Sequence, residues 1–354
     1  MLYVARFIAG ISVGLLYSNV IPIYLSEIAS AKIRGIITIL SSVFIKVGVL
    51  YVYSVGPFVT IAQMAWMNLI PLALFILLFV WMPESPYFLL STKNFESAHK
   101  SLAKLRGHKD VNEELQLISA AIKPSAENSS SMKMLFNRSN IRSFIIIFVL
   151  QLAQHFCGCI PVMAYSEIIF SQIENSLLTA SESNIILGVI MLVSAIVCSF
   201  IIDRFGRRPL LLYSALALAI SNISLATYFE LKQQQINITN LAWLPTTALM
   251  VMVTGFGLGF STVIFVLMGE IFPKQIKSGA NAIIGVCAVA VGIGVLKGFQ
   301  FYSDNYGYNV SFWVFSFCSV LVVPFVWFMV PETKGKSLAL ILEELNSTNK
   351  LRKL

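Results

Sequence analysis

The sequence predicts an all-α membrane protein with nine membrane-spanning helices. Three observations carry this. Apolar residues make up 57% of the 354 positions and charged residues only 12%, about half the charged share of a soluble domain, and the mean hydropathy is +0.80. Nine apolar stretches occur, each about 20 residues long and so long enough to cross the hydrocarbon layer as a helix. Lys and Arg fall almost wholly in every second connection. Each spanning helix satisfies its own backbone and packs on its neighbours, so the array needs no core hidden from water.

The predicted spans run 3–25, 36–56, 62–82, 143–169, 184–202, 210–229, 244–268, 279–301 and 311–330. The one long polar segment, 83–142, separates the first three spans from the last six. Within it, Phe95 to Leu105 and Asp110 to Lys123 carry apolar residues at helical spacing around a Gly107 break, and Glu127 to Ser131 is a polar linker. Short amphipathic helices beneath the bundle fit this pattern, with His99 and His108 at the surface. The organisation expected is a three-helix remainder of an N-terminal half (1–82), a cytoplasmic linker (83–142), a six-helix half (143–330) and a tail (331–354).

The formal charge of +8 resembles that of a nucleic-acid binder until its distribution is read. The connections 26–35, 83–142, 203–208 and 270–278, together with the tail, hold 21 of the 25 Lys and Arg. The alternate loops hold only Lys232, while Arg6, Lys46 and Lys297 lie inside spans. This is the positive-inside pattern: it puts the N-terminus outside and the C-terminus in the cytoplasm, and it leaves no call for a nucleic acid. Cys157, Cys159, Cys198, Cys287 and Cys318 all fall in spans and read as small packing residues. No cleavable leader is evident. Asn237-Ile238-Thr239 is a glycosylation acceptor in the longest outside loop; the triplets at Asn128, Asn137 and Asn346 face the cytoplasm.

The chain contains a duplicated cassette. Glu27-Ile28-Ala29-Ser30-Ala31-Lys32-Ile33-Arg34 and Glu270-Ile271-Phe272-Pro273-Lys274-Gln275-Ile276-Lys277 share an acidic start, a basic end and a place between apolar runs. Each copy is followed by two more apolar stretches and closes in a tag, Pro83-Glu84-Ser85 or Pro331-Glu332-Thr333. Repeated membrane segments mark secondary transporters, whose solute site lies between the repeats. Residues 143 to 243 precede the second copy without a counterpart before the first, so about three further spans are expected before Met1.

Several of these motifs resemble one family. Arg6-Phe7-Ile8-Ala9-Gly10, Pro22-Ile23-Tyr24-Leu25-Ser26-Glu27-Ile28-Ala29 and Arg34-Gly35 look like the fourth helix of a sugar porter and the loop after it. Pro83-Glu84-Ser85-Pro86, Asp203-Arg204-Phe205-Gly206-Arg207-Arg208-Pro209 and Pro331-Glu332-Thr333-Lys334-Gly335-Lys336-Ser337-Leu338 resemble its other signatures, in family order and spacing. The chain is thus similar to the sugar porter family of the major facilitator superfamily, and most resembles the facilitated trehalose transporters of insects. The resemblance implies a helical bundle matching helices four to twelve of a twelve-helix fold.

The acidic and basic residues at the cytoplasmic helix ends are the first candidates for function. Glu27 and Arg34 recur as Glu270 and Lys277, and Asp203 with Arg204, Arg207 and Arg208 forms a third cluster. Exposed pairs contribute about 0–1 kcal/mol each, but a partly buried network biases a two-state equilibrium. The family is understood to use such residues as a cytoplasmic gate. Ordinary topology with capping charges is the alternative.

The span 143–169 supplies the solute-site candidates. Gln151, Gln154 and His155 share a face, and Gly158 with Pro161 permits a helix break that opens backbone groups to a ligand. Uncharged hydrogen-bonding groups over aromatic surface suit a polyhydroxyl solute such as a sugar; interhelical polar packing is the alternative. By the family resemblance Gln154 and Tyr165 match solute-contact positions, and Phe265 and Ser42 stand at two others. His155 and Ile160 depart from the family's Gln and Asn, as do Met191, Thr262, Ile264, Ala288 and Val289 at further positions. His155 either relays protons or packs. Lys46, at the centre of its span, either meets an anionic solute or is paired or snorkelling. Two functions stay open: a carrier moving a trehalose or hexose by alternating access, or a non-transporting sugar sensor or truncated relative. No Walker A motif, catalytic triad, metal cluster or acid pair suggests an enzyme, a cofactor or a metal.

Overall fold

The computed structural model describes residues 2–15, 20–30, 34–107, 110–122, 140–173, 178–237, 239–272, 274–336 and 340, and no strand occurs among them. The longer helices in order are α1 (Leu2–Leu15), α2 (Ile21–Ile28), α3 (Arg34–Val55), α4 (Ile61–Phe79), α5 (Pro86–Ser91), α6 (Phe95–Arg106), α7 (Asn112–Ile122), α8 (Ile141–Phe156), α9 (Cys159–Ser171), α10 (Ala180–Phe205), α11 (Arg207–Gln233), α12 (Trp243–Leu258), α13 (Val263–Ile271), α14 (Lys274–Tyr306) and α15 (Tyr308–Met329).

Eight helical segments among the described residues are long and apolar enough to cross a bilayer. They are Leu40–Phe58, Ile61–Phe79, Ile141–Ser171, Ala180–Phe205, Arg207–Gln233, Trp243–Ile271, Gly279–Tyr306 and Tyr308–Met329. The ninth expected span, 3–25, is represented by the shorter apolar helix Tyr3–Gly14. Residues 16–19 of that span lie outside the described residues, and α2 follows from Ile21 with proline in its first turn. Proline has no N–H and a fixed φ, so it starts a helix more readily than it continues one.

The chain divides into two compact units. The first comprises Met1–Ile45 and Phe58–Ser129. In it α4 buries none of its residues and is apolar on every face, which suits a bilayer rather than water. Thr60 and Gln63 cap α4 reciprocally. The short helices α5, α6 and α7 form a satellite core of Leu90, Ala98, Leu102, Val111 and Ile118. Asn94 caps the start of α6, and Gly107 ends it at φ 73°, a left-handed conformation that favours glycine. The expected amphipathic helices of this segment are therefore present. His99 is half-buried; His108 and the linker 127–131 lie outside the described residues.

The second unit comprises Lys46–Pro57 and Ser130–Leu354. It holds α8 to α15 around one large apolar core that includes Leu150, Leu187, Leu218, Phe256, Phe260 and Phe312. Small residues allow its helices to approach closely, as packing without a hydrophobic drive requires. A Cβ on Gly257 would strike Ser194, and one on Gly255 would come within 2.6 Å of the Ala217 Cβ. Thr179 and Glu182 form a capping box at the start of α10.

Candidate functional site

Two spans of the second unit are broken within their apolar length. The first breaks between α8 and α9 at Gly158, whose φ is 79° and whose missing Cβ leaves room for the Phe315 ring. The second breaks between α12 and α13 at Gly259, where a Cβ would strike Ser214. A broken helix in hydrocarbon exposes carbonyls and amides that cost several kcal/mol each if unpaired. Here side chains pair them. The Asn222 amide donates to the Cys157 carbonyl at 3.0 Å and to Ser319 Oγ at 3.1 Å. The Cys198 thiol donates to the Leu258 carbonyl at 3.2 Å, and the Phe260 N–H donates to Ser214 Oγ at 3.4 Å.

The α8 face joins these breaks. Gln154 is buried and its amide donates to the Phe260 carbonyl at 3.4 Å, so one predicted contact residue spends a donor on the second break. Gln151 Oε1 is buried and has no partner among the described residues, which leaves it available to accept from a hydroxyl. His155 is half-buried, and its ring fills the space over Gly292 of α14, where a Cβ would lie 2.7 Å from the imidazole. Tyr165, at a local kink in α9, donates its hydroxyl to Gln300 Oε1 at 3.2 Å and tilts against Phe299 at 5.6 Å. Phe265 on α13 is 42% exposed. Ser42 is half-buried on the part of α3 that belongs to the first unit.

A second polar assembly occupies the charged end of this unit. Arg207, at the start of α11, is buried and places Nη2 2.7 Å from Glu270 Oε1 and 2.9 Å from Asp203 Oδ1. The Thr333 hydroxyl donates to Glu270 Oε2 at 2.6 Å. Glu332 caps α11: its carboxylate accepts the backbone N–H groups of Arg207 and Arg208 at 3.0 Å each, and that of Lys334 at 2.9 Å. Burial pushes the Glu332 carboxyl up, but these backbone donors outweigh it and hold the group below its ordinary value. The helix dipole favours the same anion. Arg208 donates to the Trp327 carbonyl and lies 5.3 Å from that ring's centroid. Lys334 Nζ donates to the Arg204 carbonyl at 2.7 Å. Lys277 donates to the Gly269 carbonyl at 3.3 Å, and burial lowers the pKa of its ammonium.

The first unit repeats one part of this arrangement. The Ser85 hydroxyl donates to Glu27 Oε2, as the Thr333 hydroxyl donates to Glu270 Oε2. Arg106 pairs with Glu114 at 2.6 Å and also donates to the Ile28 carbonyl at 2.9 Å. The Arg34 side chain lies outside the described residues.

Residues 1–345 match the sequence profile of the family described as "Sugar (and other) transporter". The chain belongs to this sugar transporter family. It is 32% identical over 350 residues to a facilitated trehalose transporter of Bombyx mori, covering 98% of this chain and 69% of that protein. It is 32% identical over 341 residues to one of Anopheles gambiae, covering 96% and 43%. The chain therefore spans well under two thirds of several relatives it matches. Among solved structures, the inward-open xylose transporter XylE of E. coli shares 28% identity at a TM-score of 0.73, covering 92% of this chain and 68% of that one. XylE bound to 6-bromo-6-deoxy-D-glucose gives 27% and 0.68, covering 92% and 70%. The fold is thus that of a major facilitator protein, an integral multi-pass membrane protein of a transporter family rather than an enzyme family.

Within that family frame, the sequence pointed to Glu270, Asp203 and Arg207, and the structure joins these three. It missed the roles of Ser85, Glu332 and Thr333 as hydrogen-bonding partners. Their signal was already visible: the Pro-Glu-[Ser/Thr] tag closes both copies of the cassette that begins with Glu27 or Glu270. Asn222 was missed as well, being one amide in an apolar span with no motif around it.

Proposed function

We propose that this protein is a facilitative sugar carrier that moves a trehalose or hexose by alternating access. The observation that carries this is the pair of broken helices in the second unit, bridged by Gln154, with Gln151 Oε1 unpartnered beside them. Broken helices place polar backbone at membrane depth, where such carriers bind solute. Gln151, Gln154, His155, Tyr165 and Phe265 form the solute-facing set of the second unit, and Ser42 is the solute-contact candidate of the first. Glu27 and Arg34 of the first unit, and Asp203, Arg204, Arg207, Arg208, Glu270 and Lys277 of the second, act as cytoplasmic gate residues, with Glu332 and Thr333 as supports within the second unit. The charge distribution favours an outside N-terminus and a cytoplasmic C-terminus, the acceptor triplet Asn237-Ile238-Thr239 favours a glycan on Asn237, and the plasma membrane is the residence we propose.

The test is uptake into proteoliposomes of labelled trehalose and glucose, with neither ATP nor a pH gradient. Saturable uptake of at least one, insensitive to a protonophore, is expected. Linear, non-saturable entry of both would sink the proposal.

A further inference from the structure

Lys46 is a cation in the apolar interior of α3, and its placement asks for an explanation. At 1.5 Å per residue it stands about 9 Å from the Leu40 end of the apolar span and about 18 Å from the Phe58 end, within the apolar length on both sides. A charge at that depth is costly, and where it persists it faces a cavity, a partner or a solute path. Lys46 is half-buried, and none of the ion pairs among the described residues includes it.

The face it occupies is defined by its neighbours. Leu50 and Tyr53 follow Lys46 by four and seven residues and so share its side of α3. That side packs on other helices of the second unit, to which Lys46–Pro57 belongs. A Cβ on Gly188 of α10 would meet Leu50 Cδ1 at 3.1 Å and Tyr53 Cδ2 at 3.2 Å, and Tyr53 donates its hydroxyl to the Met163 carbonyl of α9 at 2.8 Å. Lys46 therefore does not lie on the opposite face of the helix. Lys46, two turns before Tyr53 on that face, therefore stands on the side of α3 that packs on α9 and α10, and α9 is the helix that restarts after the Gly158 break bearing the hydroxyl-binding candidates Gln154 and Gln151.

We infer that Lys46 forms a carboxylate-binding subsite beside the α8–α9 break, so that the protein accepts hexuronates, sugars bearing one carboxylate, along with neutral sugars. A neutral sugar leaves the buried ammonium without a counter-charge. A hexuronate brings one and retains the hydroxyls that Gln151 and Gln154 suit. A charge-assisted hydrogen bond in such a site is about twice as strong as a neutral one, so the effect falls on the anionic sugar selectively. For flux, though not for binding, the inference rests on the carrier reading above.

The experiment compares D-glucuronate with D-glucose on the wild-type protein, on Lys46→Gln and on Lys46→Arg. Binding is read as thermal stabilisation in detergent, and flux as uptake into proteoliposomes. Lys46→Gln removes a charge from the bilayer and is expected to insert and fold. It should weaken glucuronate binding and raise its KM roughly 10- to 100-fold, while glucose stays within about twofold; Lys46→Arg should restore most of the loss. Glucuronate binding that depends on Lys46, with no flux of any sugar, upholds the subsite and removes the carrier reading. Glucose flux without glucuronate binding overturns the subsite and keeps the carrier. Equal losses for both sugars in Lys46→Gln also overturn it, because they mark a lysine that only supports the fold.

Discussion

Replacing Glu270 by Gln keeps the shape of the side chain and removes the charge between Arg207 and Thr333. Arg207 Nη2 lies 2.7 Å from Glu270 Oε1, and Thr333 donates to Oε2 at 2.6 Å. The Arg207 side chain is 10% exposed and that of Glu270 29%, so water screens the contact only in part. Asp203 remains 2.9 Å from Arg207, but it is 76% exposed and compensates weakly. The contact with Arg207 loses one of its two charges and the Thr333 hydrogen bond becomes neutral, a loss on the order of 1.5–2.5 kcal/mol. If the network forms in one transport conformation and opens in the other, the equilibrium between them shifts roughly 10- to 60-fold. Zero-trans influx and efflux in proteoliposomes should then change in opposite proportion, with normal amounts of protein in the membrane. Thr333→Val, which removes one hydrogen bond and no charge, should act in the same direction by about 1 kcal/mol. Unchanged kinetics in both directions for Glu270→Gln would remove Glu270 from the gate.

Two further outcomes follow from the geometry. Asn222→Leu strips the Cys157 carbonyl of its donor inside the apolar core and should lower stability by about 1–3 kcal/mol, read as an earlier thermal transition in detergent; an unshifted transition would mean that the break does not depend on Asn222. Glu332 has a folded-state pKa held below its ordinary value, so its contribution is full above the ordinary Glu range, about 4.3, and is lost as pH falls through the depressed value. Melting of Glu332→Gln against the wild type should therefore show a gap at pH 7 that closes in acid, whereas a constant gap would show that the carboxylate charge is irrelevant.

Much of the second unit was legible in the sequence because its determinants are local. Apolar length gives a spanning helix wherever it occurs, since no other open structure satisfies its backbone in hydrocarbon. Gly107 and Asn94 bounded α6 for equally local reasons. Within the first predicted span, 3–25, the described residues are helical in α1 and again from Ile21 in α2. At the site, Gly158 was a readable break and Gly259 was not, because the second needs no proline and depends on Ser214 standing against it. Gln154 illustrates the limit of pattern reading: its position on a polar face was clear, but its bond to the Phe260 carbonyl requires two distant segments to meet.

The sequence by itself determined that this chain lives in a bilayer, where its spans lie, and that it carries a repeated charged cassette, because hydropathy, charge and duplication are properties of the linear chain. Only the tertiary structure decided what those charges touch. That Glu270 holds Arg207 and Thr333 while Glu27 takes Ser85 depends on ångström-scale approach between segments 58 to 63 residues apart. Hydrogen bonds and buried ion pairs have value only at such range.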